Sequence, residues 1–191
     1  MKNIVIIDYG AGNVKSVNFA FQRLGYEPTL SDDPEVIRSA DYVVFPGVGH
    51  AKAAMETINE KGLVEVIKNL KQPVLGVCLG MQLMCRYSEE GGVKGLGIFD
   101  VDVKKFDDEL KVPHMGWNNV ENCSSIMNGV EGQTYFVHSY YVPMTEETIA
   151  ECDYGLTFSA SLAKDNFFGC QFHPEKSGKV GESIIQNFLN Q

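Results

Sequence analysis

The 191-residue chain has no apolar run near the roughly 18 residues that span a bilayer, so no membrane span is expected. The amino-terminal stretch MKNIVIIDYG holds only a short apolar run before Asp8, too short for the core of a secretion signal. Basic residues are few: 16 Lys and Arg stand against 25 Asp and Glu, a formal net charge of −9. No Lys/Arg stripe forms to neutralise phosphates, so a nucleic-acid partner is not expected. Cysteine pairing is also missing. The five cysteines, at 78, 85, 123, 152 and 170, include no CxxC spacing, which argues against a zinc ribbon or a disulfide scaffold. Reduced thiols in a soluble cytoplasmic protein are the expectation. No repeat and no low-complexity tract interrupts a composition of 44% hydrophobic and 21% charged residues, as a folded protein requires. The length suits a single domain, residues 1–191, with a sizeable core.

What is present begins with strand and helix signals in alternation. Asn3–Ile7 is a continuous apolar run typical of a buried parallel strand, closed by Gly10-Ala11-Gly12-Asn13. Val14, Val17, Phe21 and Leu24 then recur at helical spacing, with Gly25 as the stop. Asp33-Pro34 reads as an N-cap with proline at the first helical position. Tyr42–Phe45 is a second apolar strand, followed by Pro46-Gly47-Val48-Gly49 and a helical stretch from Ala53 to Leu70 broken near Gly62. Val74–Val77 is a third strand, and Gly80–Tyr87 is expected to be helical. This order predicts an α/β fold: a doubly wound, mostly parallel sheet with helices on both faces. From about Val101 to Phe172 the runs become short and β-like, at Gln133–Val137, Thr148–Cys152, Phe158–Leu162 and Phe167–Phe172. They predict an antiparallel addition on the same core. Val180, Ile184 and Phe188, widened by Ile185 and Leu189, mark a closing helix.

Gly76-Val77-Cys78-Leu79-Gly80 lies between an apolar strand and a helix, with the spacing of a nucleophile elbow. Such a turn lifts the sulfur out of the sheet and sets it at a helix N-terminus, which favours the reactive thiolate. The Leu79 amide would then be available to a developing oxyanion. The alternative is one more small buried cysteine. In Gln171-Phe172-His173-Pro174-Glu175, residues two apart on extended chain share a side, so Glu175 can orient His173 as the base of a thiol. The pair also fits a metal site or a satisfied structural histidine, although His50, His114 and His138 stand in unrelated contexts and offer no obvious third ligand. Pro46-Gly47-Val48-Gly49 can aim backbone amides at an anion, or simply turn. It shares with Cys78 the carboxyl ends of strands, where ligands of such sheets bind. His50 is read as a solvated loop residue, and His138 as a strand end bonded to nearby backbone.

Over essentially its whole length the chain resembles the class I glutamine amidotransferases, which have a flavodoxin-like α/β fold. GVCLGMQ around Cys78 and QFHPE around His173 carry the broad likeness. DYGAGN, PGVG, PHMGWNN at 113–119, YFVHSYY at 135–141 and HPEKS at 173–177 narrow it to the glutaminase subunits of imidazole glycerol phosphate synthase. The resemblance implies Cys78 as nucleophile, His173 as proton shuttle and Glu175 as its orienter. It implies oxyanion donors at Val48 or Gly49 and at Leu79, and it assigns the ends of glutamine to Gln82, Ser139 and Tyr140. Asn13, Trp117, Asn118, Tyr135 and Lys176 match positions near a (β/α)₈-barrel synthase partner that receives the ammonia in a heterodimer. No cofactor and no metal are implied. The pair His50-Ala51 departs from the small residue and aromatic common in the family. Two alternatives remain: the same chemistry serving another synthase, and a non-catalytic regulatory subunit on this scaffold.

Overall fold

The computed structural model describes residues 2–10, 13–107 and 109–191; Ala11 and Gly12 of the first glycine turn lie outside them. The chain opens with β1 (Ile4–Ile7), α1 (Val14–Arg23), β2 (Thr29–Ser31), α2 (Pro34–Arg38) and β3 (Tyr42–Phe45). It continues through α3 (Ala51–Glu60), α4 (Val64–Lys68), β4 (Val74–Val77) and α5 (Leu79–Met84). Then come β5 (Cys85–Ser88), β6 (Val93–Lys94), β7 (Phe99–Lys105), β8 (His114–Asn119), β9 (Gln133–His138) and β10 (Tyr140–Tyr141). β11 (Thr148–Asp153), β12 (Thr157–Lys164), β13 (Phe167–Cys170) and α6 (Gly178–Phe188) complete it.

Seven strands form the main sheet in the order β11-β12-β13-β4-β3-β1-β2. The pairs from β13 through β4, β3 and β1 to β2 are parallel, and β12 and β11 add antiparallel at one edge. All four residues of β1, β3, β4 and β13 are buried, because helices cover both faces and leave neither side to water. The pleat then sorts the residues. Val5, Ile7, Val43 and Phe45 pack with α3 and α5, while Ile4, Ile6, Val44 and Leu75 pack with α1 and α6. A four-stranded sheet, β10-β7-β5-β6, and the β8-β9 hairpin lie beside this frame.

Local chemistry explains most boundaries. The Asp33 carboxylate accepts from the Glu35 amide at 2.8 Å with Pro34 behind it, as expected of that cap. Gly62, at φ +66°, separates α3 from α4. One expectation fails: α5 stops at Met84, and the chain from Cys85 to Ser88 is a strand. The amides of Leu96, Gly97 and Ile98 take the carbonyls of Leu83, Cys85 and Met84, so further helical turns lose their acceptors. Tertiary pairing with β6 and β7 overrides local helix preference there.

Candidate active site

Cys78 follows β4 directly and N-caps α5, with φ 52° and ψ −109°. A non-glycine residue in such a conformation costs about 1–3 kcal/mol. Its neighbours hold it there. A Cβ on Gly80 would strike the Phe45 carbonyl, one on Gly47 would strike the Gly80 amide, and one on Gly76 would press against Met81 and Met84. Glycine at these positions lets the exits of β3 and β4 close on α5, and the sulfur emerges into a cleft of about 320 Å³. Cys78 and His173 both line it. So do Val48, Gly49 and Leu79 at the expected oxyanion positions, and Gln82, Ser139 and Tyr140 at the expected glutamine-holding positions.

His173 lies three residues past β13, its amide bonded to the Tyr135 carbonyl at 2.8 Å. The Ser177 hydroxyl donates to the His173 carbonyl at 2.7 Å. Nδ1 lies 2.8 Å from Glu175 Oε1, and both side chains are buried. The pairing matches the expectation, but its cause differs. Pro174–Lys176 is a 3₁₀ turn that brings Glu175 under the ring, in place of extended chain. An ionised carboxylate only accepts, so Nδ1 carries the proton and Nε2 is left for a reacting group. Among the described residues Nε2 has no hydrogen-bond partner. Burial alone depresses the affinity of His173 for a proton; interaction with the Cys78 sulfur and then the Glu175 carboxylate outweighs it, raising the pKa to about 9. The imidazolium is thereby stabilised beside the Cys78 sulfur.

The oxyanion turn is differently set. The Leu79 N–H donates to the Gly47 carbonyl at 3.3 Å, so this donor is engaged. Because N–H and C=O of one planar peptide point oppositely, the Val48 N–H is turned away from Leu79. The Tyr9 hydroxyl anchors the turn through the Pro46 carbonyl at 2.9 Å. On the glutamine side, Gln82 Nε2 donates to the Tyr140 carbonyl at 2.8 Å, so that backbone oxygen holds Gln82. His114 and His138, unconnected in sequence, meet at 3.0 Å in the β8-β9 hairpin. His138 also bonds the Tyr140 carbonyl at 2.8 Å, as expected of a strand-end histidine bonded to nearby backbone. His50 is exposed but caps α3. Among the described residues no group of three or more His, Cys, Asp or Glu could hold a metal.

Of the proposed partner-side residues, Trp117 is 54% exposed and meets Tyr135 edge-on, with ring centroids 5.8 Å apart. Lys176 Nζ lies over the Tyr135 ring at 5.8 Å. Asn118 points elsewhere. Strand alternation places it on the opposite face from Trp117, where it donates to the Asp153 carbonyl at 2.9 Å. Asn13 precedes α1, half-buried and without a side-chain cap bond. Sequence reasoning misses Tyr9, Glu90 and Gln171. Tyr9 and Gln171 stand inside DYGAGN and QFHPE, so the motifs carried the signal. Glu90 lines the cleft and accepts from the Ala51 amide at 2.7 Å; no sequence spacing announces it.

Residues 5–191 match the model of the family Glutamine amidotransferase class-I. The chain belongs to the class-I glutamine amidotransferase family. It is 56% identical to imidazole glycerol phosphate synthase subunit HisH of Bacteroides fragilis strain YCH46, over 97% of this chain and 98% of that protein. The subunit HisH of Escherichia coli K12 is 51% identical over 98% of each. PurLQS from Thermotoga maritima shares the fold with a TM-score of 0.73 at 17% identity, covering 100% of this chain and 99% of that one. A solved glutamine amidotransferase gives 0.78 at 16% identity, covering 98% and 97%. As a member of this family, the chain is a HisH-type glutamine amidotransferase subunit.

Proposed function

We propose that the whole chain acts as one domain in which Cys78, His173 and Glu175 hydrolyse L-glutamine. The observation that carries this reading is the convergence of Cys78 and His173 in one cleft, with Glu175 2.8 Å behind the imidazole. The Cys78 thiolate attacks the side-chain amide carbon, and the carbonyl electrons move onto oxygen. As the tetrahedral species collapses, His173 Nε2 gives its proton to the leaving nitrogen and ammonia departs. Water then attacks the thioester while Nε2 takes its proton; the C–S bond breaks, leaving glutamate and free thiolate. A positioned acid–base of this kind contributes about 10²–10⁴ in rate.

The oxyanion needs donors, and the Gly47 carbonyl occupies the Leu79 amide in this state. Rotation of the Gly47–Val48 peptide replaces that carbonyl with the Val48 N–H and frees Leu79, so we read the turn as the step that raises activity. A lost oxyanion donor costs about 2.7–4 kcal/mol, enough to leave the chain slow until the turn rotates. The cluster of exposed Trp117 and Lys176 around half-buried Tyr135 supports a partner surface on this side, since the Tyr135 carbonyl holds the His173 amide. The relatives' name points to another subunit of imidazole glycerol phosphate synthase as the partner; the sequence resemblance makes it a (β/α)₈-barrel cyclase that takes the ammonia and makes imidazole glycerol phosphate and aminoimidazole carboxamide ribotide. A cytoplasmic heterodimer follows from this reading. A glutamine-analogue chloroketone tests the chemistry: it should alkylate Cys78 alone, and glutamine should protect. Labelling elsewhere, or no protection, would refute it.

A further inference from the structure

Gln171 is fully buried, and nothing in the proposed reaction so far uses it. Its amide Nε2 lies 3.8 Å from Cys78 Sγ, and its Oε1 lies 2.9 Å from Gln82 Nε2. An amide can be turned end for end, so its direction must come from its partners. Here the Tyr140 backbone carbonyl decides. A carbonyl only accepts, so the Gln82 atom 2.8 Å from it is the nitrogen. The same nitrogen then donates its second hydrogen to Gln171, which must present oxygen there. Gln171 therefore has only N–H to offer the sulfur. His138 also bonds the Tyr140 carbonyl, at 2.8 Å, which holds the reference oxygen in place.

We propose that Gln171 is a further catalytic residue of this site: its Nε2 donates a hydrogen bond to the Cys78 thiolate while its Oε1 fixes Gln82. The inference rests on the glutaminase reading above and extends it. In the thiol form the sulfur has another partner, the Val137 carbonyl at 3.9 Å, to which only S–H can donate. Ionisation exchanges one bond for the other: Val137 stabilises the thiol and Gln171 the thiolate. The arrangement ties the nucleophile to Gln82, so a disturbance at the glutamine-holding side reaches the sulfur through two side chains.

The test uses the full chain and iodoacetamide, with the alkylation rate of Cys78 followed against pH. Loss of a donor to the charged form disfavours that form. In Gln171→Met the midpoint should move up by about one to two pH units, which is tenfold per unit in rate at fixed pH below it. Tyr9 and His173 are the other titratable groups that interact with the sulfur, and neither is altered. An unmoved midpoint in a folded variant would overturn the role of Gln171. If the variant does not fold, the native chain decides through NMR of the Gln171 side-chain amide. Its resonances should titrate with the Cys78 midpoint and cease to do so in Cys78→Ala; a flat response in the native chain overturns the proposal. Glutamine protection of the native thiol is measured alongside. Its absence removes the glutaminase reading and this inference together, whereas protection with an unmoved midpoint removes this inference alone.

Discussion

Individual side chains make separable demands at residue scale. Cys78→Ala removes the sulfur on which the proposed thioester forms, so glutamate release should fall to background; measurable turnover near the native rate would exclude Cys78. Glu175→Gln keeps the shape but replaces a carboxylate that orients His173 and stabilises the imidazolium. A large but incomplete loss in kcat is expected, read in the same assay. Histidine chemistry also sets a stability profile. Burial holds His114 down to about 4 and His138 to about 3, so the unfolded chain takes up protons there that the folded one refuses. Their contribution is complete above the ordinary histidine value of about 6.5 and is lost as pH falls through about 4 for His114 and about 3 for His138. His173, raised to about 9, acts in the opposite sense. Its contribution is complete below about 6.5 and is lost as pH rises through 9. Thermal unfolding midpoints should therefore peak near neutrality, and His173→Gln should flatten chiefly the alkaline limb.

At the scale of elements, the elbow depends on backbone approach, and glycine is what permits it. Gly80→Ala places a methyl against the Phe45 carbonyl, which is backbone and unable to rotate aside. Overpacking of this kind costs about 1–3 kcal/mol, so the denaturant midpoint should fall and activity with it. The elements themselves were unevenly legible. Tyr42–Phe45 and Val74–Val77 stand where their apolar runs place them, because strands covered on both faces read as unbroken hydrophobic segments. Cys85–Tyr87 reads as helix and is strand, since its partners β6 and β7 lie later in the chain and no local pattern announces them. The His173–Glu175 pair was legible as a pair, yet the turn that forms it was not. Gln171 was marked by the QFHPE motif, yet its role was not legible for a similar reason: its meaning lies in Gln82 and Cys78, 89 and 93 positions away.

For the molecule as a whole, the main sheet gathers Val48, Cys78 and His173 by bringing the exits of β3, β4 and β13 side by side. The hairpin β8-β9 supplies Val137 and His138 to the cleft from within and Trp117 to solvent from without. A partner pressing on Trp117 and Tyr135 thus acts on a hairpin already bonded to His173. Aromatic anchors at interfaces commonly cost more than about 1 kcal/mol on truncation, so Trp117→Ala should weaken association with the synthase by at least several-fold in a binding titration while leaving the isolated chain folded. The central claim is that this cleft hydrolyses glutamine and is set by its partner. Glutamate release should be measured for the chain alone, with the barrel synthase, and with that synthase holding its nucleotide ligand. A low rate that climbs steeply only in the third condition is the expected result. No glutamate in any condition, from a confirmed complex, would contradict it.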